Sequence, residues 1–161
     1  MDQPTLVPSL FYRDPLAALK RLEAAFGFET VSLVTDAEGK VGHSQMTFLG
    51  GAVSIGGEWD GPPLGEARMR SPISTGGVAT QFISVQMPDR HDAHCERARA
   101  AGARIIAEPE DQFYGARIYR ALDPEGHIWN FSQDVRHVTG EEMARDSGLT
   151  ISGSLREAGL G

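Results

Sequence analysis

Cysteine is almost missing. Cys95 is the only one in 161 residues, so no internal disulfide can form and a reducing compartment is expected. No apolar run approaches the roughly 18 residues that a membrane span needs. The start of the chain also lacks the basic and apolar segments of a secretory leader. The expectation is a soluble, cytoplasmic protein with no membrane partner. Lysine and arginine form no block and the formal net charge is −7, which argues against nucleic acid as a partner. What the chain does have is 40% apolar content, enough for one globular domain or two small modules sharing a core.

Its most informative stretch runs from Gln112 to Phe131, QFYGARIYRALDPEGHIWNF. An aromatic-rich loop leads into a β-patterned run that turns at Asp123-Pro124-Glu125-Gly126. A second run, His127 to Ser132, leaves that turn. Asp accepts backbone N–H bonds in turns, Pro presets φ, and Gly tolerates positive φ. The pattern predicts a tight β-hairpin closing a domain.

Earlier residues repeat one order of elements. TLVPSLFYR at 5–13 reads as a strand, and Asp14 caps a helix with Pro15 at its first position. Leu19, Leu22 and Phe26 recur at helical spacing before Gly27 ends the helix. Strands follow at 28–35, 41–49 and about 52–56. After a Gly/Pro-rich stretch, 80–87 is a strand, Asp89 is expected to cap a helix through Ala101, and Gly102 ends it. Strands at 103–108 and 116–122 precede the final hairpin strand. Asp14 with Asp89, Gly27 with Gly102 and Gly51 with Gly126 share one offset of 75 residues, which predicts an internal duplication.

The fold class is therefore α+β: two βαβββ modules whose mixed sheets enclose a concave cleft, with the helices outside. The expected division is a first module at 1–58, a linker or lid loop at 59–78, a second module at 79–133 and a C-terminal extension at 134–161. In the extension, Thr139-Gly-Glu-Glu142 is a capping-box pattern that opens a short helix stopped near Gly148.

Four motifs carry a family likeness: Ala98-x-x-Ala101-Gly102-Ala103, Glu108-Pro109, Gln112-x-Tyr114-Gly115 and Asp123-Pro124-Glu125-Gly126-His127-x-Trp129-x-Phe131. Through them the chain resembles the vicinal oxygen chelate superfamily (glyoxalase/bleomycin-resistance/dioxygenase), over about residues 5–133. The resemblance implies a divalent metal held by His, Gln or Glu from the first and last strand of each module. Here those positions hold Val7, Phe82, Asn130 and either Ser54 or Ile55. Such groups are poor donors for hard or borderline ions, so neither a metal nor another cofactor is expected. His91, His94 and Cys95 could present ligands from one helix face; the plainer reading packs Cys95 against the sheet and leaves the histidines at the helix edge.

Period-two alternation then assigns faces. Ser9 and Phe11, His43 and Gln45, Ser84 and Gln86, Arg120, and Asn130 share the cleft side, while Trp129 and Phe131 point at a helix. Arg120 offers a fixed fork for carboxylate-like oxygens, and His43 is the one candidate acid/base. Trp59 and Tyr114 are candidate aromatic walls beside Gly-rich turns. The resemblance implies sequestration of a small anionic or aromatic molecule by a homodimer, in a family whose dimers often exchange modules between chains. The alternatives are a lyase, isomerase or glutathione-type transferase, or a regulatory module docking through its tail.

Overall fold

Residues 4–60 and 65–161 are described by a computed structural model. The Pro62-Pro63 part of the expected lid lies outside them. The first module is β1 (Ser9–Tyr12), α1 (Pro15–Phe26), β2 (Glu29–Thr35), β3 (Val41–Phe48) and β4 (Gly51–Gly57). The second repeats the order with β5 (Phe82–Met87), α2 (His91–Ala100), β6 (Arg104–Asp111), β7 (Ala116–Leu122) and β8 (Ile128–Asp134). A last helix, α3 (Gly140–Ser147), carries the capping box, with Thr139 Oγ1 accepting from Glu142 N and Glu142 accepting from Thr139 N. Each module forms a four-stranded mixed sheet, ordered β1-β4-β3-β2 and β5-β8-β7-β6, with only the β1/β4 and β5/β8 pairs parallel. This is the α+β duplication that the sequence predicts.

β1 begins only at Ser9 rather than at residue 5, β6 runs on to Asp111 rather than ending at 108, and two capping or turn residues also differ from expectation. Asp14 caps α1 by accepting from Ala17 N, but α2 has no such cap: Arg90 precedes it in the left-handed region at φ 56°, and Asp89 makes no cap bond. In the β3–β4 turn the glycine with positive φ is Gly50, at 84°, whereas Gly51 is already in the strand. The first-module hairpin is thus one residue out of step with the second. That shift places Ser54 opposite Gln45, as Asn130 stands opposite Arg120, and sends Ile55 into the core.

The helix-covered faces of both sheets meet in one core. Phe26 of α1 lies 5.6 Å from Trp129 and 4.9 Å from Phe131, ring centre to ring centre, and Phe28 lies 5.3 Å from Trp129. Such pairs contribute about 0.5–1.5 kcal/mol each beyond their buried area. Three of the last carbonyls of α1, a helix end short of internal donors, accept from α2. His94 Nε2 meets Phe26 O at 2.8 Å, and Arg97 donates to Ala24 O and Glu23 O at 3.1 and 3.0 Å. The histidines of α2 are therefore buried rather than at its edge. Cys95 packs inward as expected, its thiol pushed up to about 11 by burial.

A second junction comes from the β7–β8 turn. Asp123 accepts four bonds: Tyr12 Oη at 2.6 Å, Trp129 Nε1 at 3.1 Å, and the backbone N–H groups of Glu125 and His127. Glu125 accepts from Arg13 N, Asp14 N and Ser71 Oγ. His127 Nε2 donates to Phe11 O at 2.8 Å. Of the described residues between the modules, the 3₁₀ turn Pro72–Thr75 meets this turn through Ile73 N donating to Glu125 O, and Trp59 and Met69 form a bridge of their own.

Candidate functional site

Because the inner faces share a core, the other face of each sheet is turned outward. The two sheets do not close over one another within the chain. Alternation holds as read: in β1 Leu10 and Tyr12 are buried while Ser9 is exposed, and in β5 Phe82, Ser84 and Gln86 are exposed. Trp129 and Phe131 face the core.

The predicted site residues thus fall into two groups rather than around one hollow. On the first sheet stand Ser9, Phe11, His43 and Gln45, with Ser54 beside them. The Phe11 ring lies over Gly56, where an added Cβ would come within 3.5 Å of it. Ser54 Oγ donates to Ser44 O at 3.0 Å and lies 3.5 Å from His43 Nδ1. His43 is exposed, and no carboxylate pairs with it among the described residues.

On the second sheet stand Gln86, Arg120 and Asn130, in register with Ser84 and Phe82. Arg120 Nε donates to Asn130 Oδ1 at 3.0 Å, and Asn130 Nδ2 donates to Ser84 Oγ at 3.3 Å. The Arg120 guanidinium carbon sits 5.6 Å from the centre of the Phe82 ring. Asn130 is only 8% exposed, whereas Phe82 is 53% exposed.

One residue pair makes the electrostatics plain. Arg117, three positions back and so on the opposite face, bonds Asp92 at 2.8 Å and Asp111 at 2.8 Å. Those bonds raise its pKa further and hold Asp92 below the usual carboxylate range. Arg120 has no acidic partner among the described residues. Glu108 is taken by Arg99, Asp111 by Arg117, and Glu110, opposite Ile118, makes no ion pair. Arg120 therefore presents a cation whose Nε is engaged and whose two terminal nitrogens point along the remaining fork.

The two aromatic candidates lie outside the strands that carry the two groups. Trp59 belongs to the segment between modules, and Tyr114 sits in the β6–β7 loop, its ring T-shaped against Phe113 at 5.2 Å. Sequence parity put Phe82 and Ser84 on the right face, yet nothing in the spacing marked Phe82 as the support under Arg120 or Ser84 as the acceptor behind Asn130. Gln86 also lines a groove of about 360 Å³ along the β5 edge, with Leu6, Phe28, Phe48 and Val85. Among the described residues no three His, Cys, Asp or Glu side chains gather as a metal centre.

Comparison with known proteins places this geometry. The family model described as the Glyoxalase/Bleomycin resistance protein/Dioxygenase superfamily matches residues 5–131. An uncharacterised protein of Mycobacterium bovis is 31% identical over 141 residues, covering 88% of this chain and 90% of that one. A similar uncharacterised protein of Mycobacterium tuberculosis is also 31% identical, with 81% of its length covered. Among solved structures, TioX from Micromonospora sp. ML1 is 30% identical, with a TM-score of 0.63 and 83% and 98% of the two chains covered. A glyoxalase/bleomycin resistance protein/dioxygenase from Nocardioides shares the fold at a TM-score of 0.56, with 18% identity, over 86% and 89% of the chains. With duplicated modules, matching motifs and relatives spanning nearly the whole length, the chain belongs to the glyoxalase/bleomycin-resistance/dioxygenase superfamily.

Proposed function

We propose that this protein binds and sequesters a small anionic, aromatic molecule, without a metal ion, in a concavity completed by a second copy of the chain. The observation that carries the reading is Arg120: a cation fixed on a free sheet face with no acidic partner among the described residues. At the positions where relatives would supply metal donors, this chain has Val7, Phe82, Ser54 and Asn130. The best oxygen of that set, Asn130 Oδ1, already accepts from a guanidinium. A divalent ion placed there would meet one neutral donor and a neighbouring positive charge, so the residues do not fit a metal. His43, exposed and without a carboxylate to orient it among the described residues, supports binding rather than turnover by acid–base chemistry.

The second copy enters through the fold. With the inner faces locked in a common core, Ser9, His43 and Gln45 of one module cannot meet Arg120 of the other in the same chain. A partner's first module facing the second would unite them and cover Phe82.

Titration of the purified protein with 2-naphthoate, followed by calorimetry, tests the reading alongside light scattering for the oligomer. Saturable binding by a dimer that Arg120→Ala abolishes is the expected result. A monomer, or binding that ignores Arg120→Ala, overturns it.

A further inference from the structure

We propose that Asn130 is a positioning residue: it holds the Arg120 guanidinium in place without neutralising it, and so makes the site selective for an aryl carboxylate. This rests on the binding reading above and adds to it which residue sets the selectivity and for what chemistry. Three observations converge. Asn130 is nearly buried between β7 and β5, so its amide has little freedom to turn away. Its Nδ2 donates to Ser84 Oγ, which fixes the amide so that Oδ1 faces Arg120 Nε. The acceptor at this place is neutral, whereas the acceptors around Arg117 on the opposite face are carboxylates.

The chemical consequence follows from the fork. With Nε occupied, the two terminal nitrogens are left to take both oxygens of one carboxylate. Phe82 supports the guanidinium from one side, and its exposed ring offers apolar area to the aromatic part of a ligand. An aspartate at 130 would make the same bond to Nε but form an ion pair, leaving no net charge for the ligand. The asparagine therefore gives orientation while the full positive charge remains available.

The experiment compares 2-naphthoate with its neutral isostere 2-naphthamide on wild-type protein, Asn130→Asp, Phe82→Ala and Ser84→Ala. Asn130→Asp is expected to weaken naphthoate by about tenfold or more, the effect of roughly 1.4 kcal/mol, and to leave the amide nearly unchanged. Ser84→Ala, an exposed and mild change, is expected to cost naphthoate about two- to threefold and the amide nothing. Phe82→Ala lowers both ligands together. Equal losses for acid and amide in both Asn130→Asp and Ser84→Ala would show a purely structural role and overturn the proposal. So would unchanged naphthoate affinity in Ser84→Ala if Asn130→Asp fails to fold. Inorganic phosphate competing as well as naphthoate would overturn the aryl carboxylate assignment. If Arg120→Ala abolishes binding while the Asn130 and Ser84 variants bind normally, this inference fails and the binding reading stands. If wild-type protein binds no naphthoate at all, the binding reading itself falls.

Discussion

The β7–β8 hairpin shows two regions of opposite character within a few residues. At its tip, Asp123 satisfies four donors and Glu125 three, and His127 reaches a carbonyl of the other module. Among the buried side-chain nitrogens and oxygens of the described residues only His127 Nδ1 lacks a partner, and Tyr12 Oη, Arg13 N, Asp14 N and Phe11 O are the partners that lie across the junction. On its outward face, Arg120 is oriented by one neutral amide and paired with no acid. The tip holds two modules together; the face keeps a charge in reserve. The motif that stands out most in the sequence is thus a structural clamp, and the plainer residues around it are the ones the proposed site uses.

Substitutions should separate the two regions. The largest effect is expected from Asp123→Ala. It leaves the Tyr12 hydroxyl and Trp129 indole buried without an acceptor, at about 3 kcal/mol or more of stability, read from urea unfolding. Next comes Gly115→Ala. Gly115 has φ 92°, and an added Cβ would lie 2.4 Å from Arg136 O, so the loop must shift away from the 135–138 segment. A loss of about 1–3 kcal/mol is expected in the same assay. An intact unfolding midpoint would remove Asp123 from the supports of the junction, or the Gly115–Arg136 approach from the packing of the 135–138 segment.

Acid should act on the α1–α2 junction. Burial, with Arg97 and His91 adding repulsion, holds His94 below its ordinary 6.5 even though Phe26 O favours the charged form. The folded protein therefore keeps His94 neutral while the unfolded chain takes up a proton first. Its contribution is complete above 6.5 and is lost as pH falls through 6.5 toward the lower folded value. Unfolding midpoints measured at about pH 7.5 and about pH 5.5 should differ, and His94→Gln should flatten that difference. The smallest effect belongs to the open face. His43→Ala and Ser9→Ala, both at exposed positions, should change stability by under about 0.5 kcal/mol.

Much of this was legible beforehand because periodicity and punctuation are local. Asp14, Pro15, Gly27 and the Thr139/Glu142 box mark helix ends through bonds made within a few residues. Parity along strands put Phe82, Arg120 and Asn130 on one side and Trp129 and Phe131 on the other. The failures share a cause. Asp89 looked like a cap by analogy with Asp14, but Arg90 starts α2 from a left-handed residue. The offset fixed on Gly51 because composition cannot say which glycine of a Gly50-Gly51 pair takes the positive φ. His91 and His94 looked like edge residues because their partners are carbonyls distant in sequence.

By itself, then, the order of residues determined two copies of one module, their strands and helices, and which side of each strand a residue occupies. Those follow from backbone geometry and from side-chain alternation that repeats every second residue. Only the tertiary structure decided how the copies are joined. The aromatic core, the α1–α2 carbonyl bonds and the Asp123 clamp turn the inner faces together and leave Arg120 and His43 on separate outward sheets. Contacts between groups 70 to more than 100 residues apart leave no periodic trace in a chain, so they appear only once it is folded.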